Sequence, residues 1–336
     1  INGLNSTVYY KLTWILLTFV LSIVTYFLIE RPFRRRQVIS RKTMFASLLT
    51  ALTVVGSYSF YSIHNNGIKE RFPKLIKIYG KNEFDNAILA RDSWNILEKL
   101  SKSQGMEIDG TGANAPSSFE AKRLWFSNSP TTSKVLIIGN SHSKDLFNAF
   151  YLGRNYFPDL EFARFGMDGS LFARQIKTLF ESPNFKKSDI IIISFRYSDA
   201  TVKRIPKLIE AIKNQSKKVM LALNIIEFNT IDGKPVFDWY IRKHYPNFSV
   251  SKFKKLFFDS RSHRRDEANN SLGKIAKEKD IVLLDKTDFI CSMESKTCDG
   301  ITSEGYKSFY DYGHFTLEGA RYFGQRIHEI NWLGMD

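Results

Sequence analysis

Val135-Leu136-Ile137-Ile138-Gly139-Asn140-Ser141-His142-Ser143 is the stretch on which the reading of this 336-residue chain turns. Its first residues are apolar and mostly β-branched, which favours a short buried strand. The glycine and the small polar residues after it end that strand and supply caps for a helix. A helix is expected from about Ser143 to Tyr151. The same alternation recurs downstream. Strands are expected at Leu160–Arg164, Asp189–Ser194, Val219–Asn224 and Ile281–Leu284, and helices near Leu171–Phe180, Val202–Asn214 and Leu317–Ile330. Continuous apolar runs separated by helices indicate strands covered on both faces. The expected fold is therefore α/β, a three-layer domain with a parallel sheet. Ligands in such sheets bind beyond the carboxyl ends of the strands, so the residues following each strand come first in the search for a site.

Ser141 follows the first strand at such an end. Its own N–H, near a helix N-terminus, is placed to stabilise an oxyanion, and its hydroxyl is placed as a nucleophile. A serine nucleophile needs a base and a group that orients the base. Asp311 and His314 precede the last expected helix. Their three-residue offset lets one turn aim Asp311 at Nδ1 of His314 while Nε2 faces Ser141. Each half of this constellation has a structural alternative, since Ser143 suits a helix cap and His314 a satisfied structural histidine. The joint occurrence at the first strand and before the last helix favours chemistry. His142 reads as structural or as a substrate neighbour, and Asp285 and Asp288 as loop hydrogen-bonding residues. Trp94, Trp125 and Trp239 are placed in core packing ahead of a sugar platform.

Toward the start, Leu12–Ile29 and Thr43–Ile63 contain no charge. Each is long enough to cross about 30 Å of hydrocarbon as a helix, and two transmembrane helices are expected. A signal peptide is the alternative for the first and a buried core helix for the second. Residues 30–42 between them carry six Lys or Arg against one acid. By the positive-inside rule this loop is cytoplasmic, which puts everything after Ile63 outside the cytoplasm. The chain begins with Ile1, and it is expected to be a fragment of a longer protein. From Gly67 to about Ser133 the composition is mixed, with a helix expected around Phe84–Lys102 and a Gly/Asn/Ser-rich piece from Gly105 to Ser118. This part reads as an extracytoplasmic linker partly packed on the next domain.

Cys291 and Cys298 are the two cysteines. Outside the cytoplasm they are expected to form a disulfide, with a zinc half-site as the alternative. The formal net charge of +15 would suggest nucleic acid in a cytosolic protein. Five of those charges sit in the cytoplasmic loop, and no basic-aromatic motif organises the rest. The excess is better explained by a surface beside anionic polymers or lipid headgroups, and no nucleic-acid partner is expected.

The Gly139–Ser143 block and Asp311-Tyr312-Gly313-His314 together resemble the first and last signature blocks of the SGNH (GDSL-like) hydrolase superfamily. There the serine is the nucleophile and Asp-x-x-His supplies acid and base. Residues Tyr26–Arg35 resemble the end of the last core membrane helix of acyltransferase type 3 proteins. The loop Cys291–Cys298 and the residues Tyr310–Ala320 resemble the tail of SGNH domains fused to such proteins. The resemblance implies this division: 1–36, the last core helix of a truncated acyltransferase domain; 37–66, loop end and an additional helix; 67–133, a periplasmic extension; 134–336, the SGNH domain. It also implies a flavodoxin-like fold and an oxyanion hole completed by a second-block glycine, for which Gly169 is favoured and Gly166 is the alternative. Both glycines also suit turns. Asn140 stands where the family usually has Asp, and it is counted with these residues as a candidate oxyanion or substrate contact. Arg196 stands in the third block in place of an Asn, to orient substrate or donate to an oxyanion, or as a plain surface residue.

By the same resemblance, the expected activity is O-acetyl transfer to a surface glycan such as lipopolysaccharide O-antigen. Acetyl-CoA would be the donor for the full-length protein, and no cofactor or metal would be held by this part. The expected partners are the glycan acceptor, the protein's own N-terminal acyltransferase domain and the bilayer. The expected location is the bacterial inner membrane, multi-pass, with this domain periplasmic. An O-acetyl esterase uses the same residues, and a catalytically idle glycan-binding domain is the rival from another class.

Overall fold

A computed structural model describes residues 8–31, 40–64, 85–106, 113–244 and 249–335. The Gly67–Pro73 stretch, most of the basic loop and part of the Gly105–Ser118 piece lie outside the described residues. The chain divides into two compact units, Ile1–Pro73 and Lys74–Asp336.

In the first unit an α-helix runs from Val8 to Thr25 and passes into a π-helical turn over Tyr26–Glu30. A second helix spans Arg41–His64. Several hydroxyls in both are satisfied within the helix. Thr18 and Ser22 donate to the carbonyls four residues back, and Ser47, Thr50 and Thr53 do the same. Such internal pairing is what an apolar surrounding demands. Among the described residues one helix, Arg41–His64, with mean hydropathy 1.4, qualifies by length and composition as a membrane span. The other expected span contributes the shorter apolar helix Leu12–Thr25, because the π turn interrupts the α-helix before the apolar run ends.

The second unit contains β1 (Ser133–Gly139), β2 (Leu160–Gly166), β3 (Ile190–Ile193), β4 (Lys218–Ala222), β5 (Glu227–Phe228), β6 (Arg261–Ser262), β7 (Val282–Leu284), β8 (Cys291–Ser292) and β9 (Thr297–Cys298). Five strands form one parallel sheet in the order β2-β1-β3-β4-β7. This is the flavodoxin-like order, with the chain switching direction between β1 and β3. The strands alternate between two cores. Val135, Ile137, Ile190, Ile192 and Met220 face one, and Leu136, Ile138, Ile191, Ile193 and Leu221 face the other. All ten are buried, and each stabilises the fold by roughly 1.5–3 kcal/mol relative to exposure. Both faces are apolar, so helices must cover both.

Two differences from the sequence reading have local causes. The helix expected over Val202–Asn214 is broken into Asp199–Val202 and Ile205–Lys213. Pro206 lacks an N–H and sits in the first turn of the second piece, where none is needed. Between β4 and β7 the chain inserts helices Val236–His244, Val250–Asp259 and Asp266–Glu278, which the reading did not place. The second of these turns Phe253, Phe257 and Phe258 into the core from a Lys-rich segment.

The final helix, Leu317–Glu329, positions the site. Thr316 caps it by accepting from the Gly319 N–H at 2.9 Å. It lies against the helix Ser141–Leu152 so closely that a Cβ on Gly324 would collide with the Ala149 carbonyl. Residues just before it are thereby brought to the start of the Ser141 helix. Cys291 and Cys298 pair across β8 and β9 and form the expected disulfide. Trp94, Trp125 and Trp239 pack against the core.

Candidate active site

Gly139 ends β1 with φ of +150°, and a side chain there would collide with the Ser194 carbonyl of the neighbouring strand end. Only glycine allows the turn to start so close to β3. Asn140 then caps the helix Ser141–Leu152, accepting from the His142 N–H at 3.3 Å. Its Oδ1 also accepts the Arg196 backbone N–H at 3.0 Å. Asn140 therefore ties the ends of β1 and β3 together, a positioning task distinct from the substrate contact considered for it. An Asp would do the same with an added charge.

Asp311 and His314 sit on a loop closed by the bridge between Phe309 and Phe315. Asp311 Oδ1 accepts the N–H groups of Gly313 at 3.0 Å and His314 at 2.8 Å. Its Oδ2 meets His314 Nδ1 at 2.8 Å. His314 Nε2 lies 2.9 Å from Ser141 Oγ. The structure thus brings together the three side chains singled out in the sequence, in one hydrogen-bonded row. Burial raises the Asp311 pKa, but the bonds from His314 and the two backbone N–H groups outweigh it and hold the carboxyl below its usual range. Asp311 stays ionised, as a group that orients an imidazolium must.

The His314 ring is held by His142, read from the sequence as structural or as a substrate neighbour, and by two tyrosines to which the sequence reading gave no role. His142 stacks on it at 4.7 Å and Tyr310 at 5.5 Å, with Tyr312 edge-on at 5.2 Å. The two tyrosines flank Asp311 in the sequence, which is the only local signal for them. His142 is 2 % exposed. Burial first, then the charges of His314, Lys286, Arg196 and Lys144, push its pKa well below the ordinary histidine range. It is neutral, and it does not repel a protonated His314.

Arg196 follows β3 and is pinned. Its Nε and a terminal nitrogen meet the two Glu227 oxygens at 2.7 and 3.1 Å, and its guanidinium lies 4.5 Å from the Tyr312 ring centre. Arg265 shares Glu227 at 3.2 Å. Nothing in the sequence marked Glu227, whose role depends on β5 folding back beside the loop of Asp311. Gly166 ends β2 opposite Gly139 in the parallel register. Gly169, three residues on, is buried where a side chain would collide with Thr201. Both are at the carboxyl edge that carries Ser141. Asp285 caps a turn by accepting the Thr287 N–H at 2.8 Å, and Asp288 follows in the same turn.

His142, Asp145 and His314 offer ligand atoms within 4.8 Å of one another. They suit a cation poorly. Asp145 is already met by Lys144 Nζ at 2.6 Å, and both His314 nitrogens are engaged. The geometry is that required for Ser141 to act as a nucleophile, His314 as a base and Asp311 as an orienting acid.

Residues 112–329 match the family model described as an SGNH domain fused to AT3 domains. No curated protein matches the chain. Among solved structures it is similar to the periplasmic domain of a lipopolysaccharide acetyltransferase from Salmonella ser. Paratyphi A. That match has 12 % identity and a TM-score of 0.48, covering 63 % of this chain and 91 % of that one. It is also similar to a putative lipolytic protein of the G-D-S-L family from Desulfitobacterium hafniense DCB-2, with 15 % identity, a TM-score of 0.37 and coverage of 59 % and 99 %. An acetyl xylan esterase, AlAXEase, is similar at 13 % identity and a TM-score of 0.38, covering 59 % and 98 %.

Proposed function

The chain belongs to the family of SGNH domains fused to AT3 domains, and from that premise we propose that it transfers an acetyl group to hydroxyls of a cell-surface glycan such as lipopolysaccharide O-antigen. The observation that carries the reading is the continuous row from Ser141 Oγ through His314 to Asp311, with contacts of 2.9 and 2.8 Å.

In the proposed reaction His314 Nε2 takes the Ser141 proton as Oγ adds to the donor carbonyl, and Asp311 stabilises the imidazolium. The N–H of Ser141 and that of Gly169 hold the resulting oxyanion. The leaving group departs with the proton from His314, and an acyl-serine remains. A glycan hydroxyl then gives its proton to His314 and attacks the acyl carbonyl; collapse forms the new ester, and Ser141 Oγ leaves with the proton from His314. Arg196, immobilised on Glu227 and Tyr312, orients the acceptor.

Fusion to AT3 domains in the family supports transfer over hydrolysis, because a secreted esterase has no need of a membrane partner. Cytoplasmic acetyl-CoA is the proposed donor, and its acetyl group is passed to this domain by the protein's own acyltransferase part. The basic loop before Arg41 and the apolar helix after it support anchorage in the bacterial inner membrane with the catalytic unit periplasmic.

The test is Ser141→Ala in the full-length protein, with glycan acetylation followed by mass spectrometry. Loss of acetylation at normal protein level is expected. Unchanged acetylation refutes the nucleophile, and increased acetylation assigns the domain to deacylation instead.

A further inference from the structure

The turn that carries Ser141 rests on a buried cation. Arg164, within β2, is fully buried. Its Nε donates to Ser143 Oγ at 2.9 Å. One terminal nitrogen donates to the carbonyls of Asn140 at 3.2 Å and Gly139 at 3.4 Å, and the other is paired with Glu120. Ser143 Oγ in turn donates to the Asn140 carbonyl at 2.7 Å. Glu120 is buried too, and Ser117 fixes its second oxygen through N–H at 2.8 Å and Oγ at 3.0 Å. The Arg164 guanidinium also lies 5.6 Å from the Trp94 ring centre. Residues well ahead of β1 therefore reach beneath the nucleophile.

A buried ion pair is a poor choice for stability alone, since apolar residues of similar volume do as well. Its geometry suggests what it does. The Asn140 carbonyl and the Ser141 N–H belong to one planar trans peptide and point in opposite directions. Drawing the carbonyl down onto Arg164 and Ser143 aims the Ser141 N–H the other way and polarises it as a donor. Gly139 just before has no side chain to hold its own backbone, and its carbonyl is the other one that Arg164 takes.

We infer that Arg164, held by Glu120, is a positioning residue that orients the Ser141 peptide for oxyanion binding. The inference rests on Ser141 being the nucleophile. Glu120 and Ser117 thereby make the extension ahead of β1 part of the catalytic apparatus.

The experiment uses the full chain in detergent, a fluorophosphonate probe, and p-nitrophenyl acetate. The labelled fraction reports how much protein is folded, and the labelling rate constant reports the geometry at Ser141. Ser143→Ala removes one support without unpairing a charge, and Arg164→Lys keeps the charge but loses the fork. The rate constant and kcat are expected to fall about 10-fold in the first and about 100-fold in the second, with KM little changed. Unchanged rate constants in both variants, with only the labelled fraction reduced in Arg164→Lys, overturn the inference. Should Arg164→Lys not fold, Ser143→Ala decides by itself. A wild-type chain that takes no more label than Ser141→Ala overturns the nucleophile reading and this inference with it.

Discussion

Asp311→Asn replaces one carboxylate oxygen by NH2, and the surroundings dictate which one. Oδ1 accepts two backbone N–H groups, from Gly313 at 3.0 Å and His314 at 2.8 Å. An amide nitrogen there would face two donors, so the amide oxygen must take that position. The NH2 is then directed at His314 Nδ1, where Oδ2 lay at 2.8 Å. A donor facing Nδ1 forces the proton onto Nε2, the nitrogen 2.9 Å from Ser141 Oγ. In that tautomer His314 cannot accept the serine proton. The shape and both backbone bonds survive, so the fold should be kept while kcat falls about 10⁴-fold, a barrier increase of about 5 kcal/mol. Initial rates on p-nitrophenyl acetate, with melting temperature as the control, measure both. Activity within tenfold of wild type at an unchanged melting temperature would refute the tautomer argument and the role given to Asp311.

Two further predictions concern the unit that carries the site. Lys286 is 2 % exposed, and burial, opposed by the charges of Asp145 and Asp285, pushes its ammonium down to about 7. Between that value and the unfolded one near 10.4 the unfolded chain binds the extra proton, so stability rises with pH, and the penalty is fully present below it. Lys286→Met should raise the melting temperature most at pH 6, with the gain shrinking as pH rises toward 10; equal gains across that range refute the burial argument. Replacing Cys291 and Cys298 by Ser opens a short loop and should cost about 2.5 kcal/mol by chemical denaturation. The labelling rate at Ser141 should not change, and a matching loss of rate would tie the loop to the chemistry.

The sequence by itself determined the sheet and the chemistry-bearing triplet. Strands buried on both faces must be continuous apolar runs, so β1, β3 and β4 are visible as such, whereas the edge strand β2 carries Glu161 and Arg164 and the edge strand β7 leaves Val282 and Leu283 exposed. A serine after the first strand and an Asp-x-x-His before the last helix are local patterns whose meeting follows from the doubly wound topology. What only the tertiary structure decided is how that triplet is held. Arg164, Glu120 and Glu227 come from three separate segments and carry no mark in the sequence, because a buried charge is defined by its partner and the partners are far apart along the chain. The same holds for Asn140, whose contact with the Arg196 backbone exists only because Gly139 lets β1 and β3 end side by side.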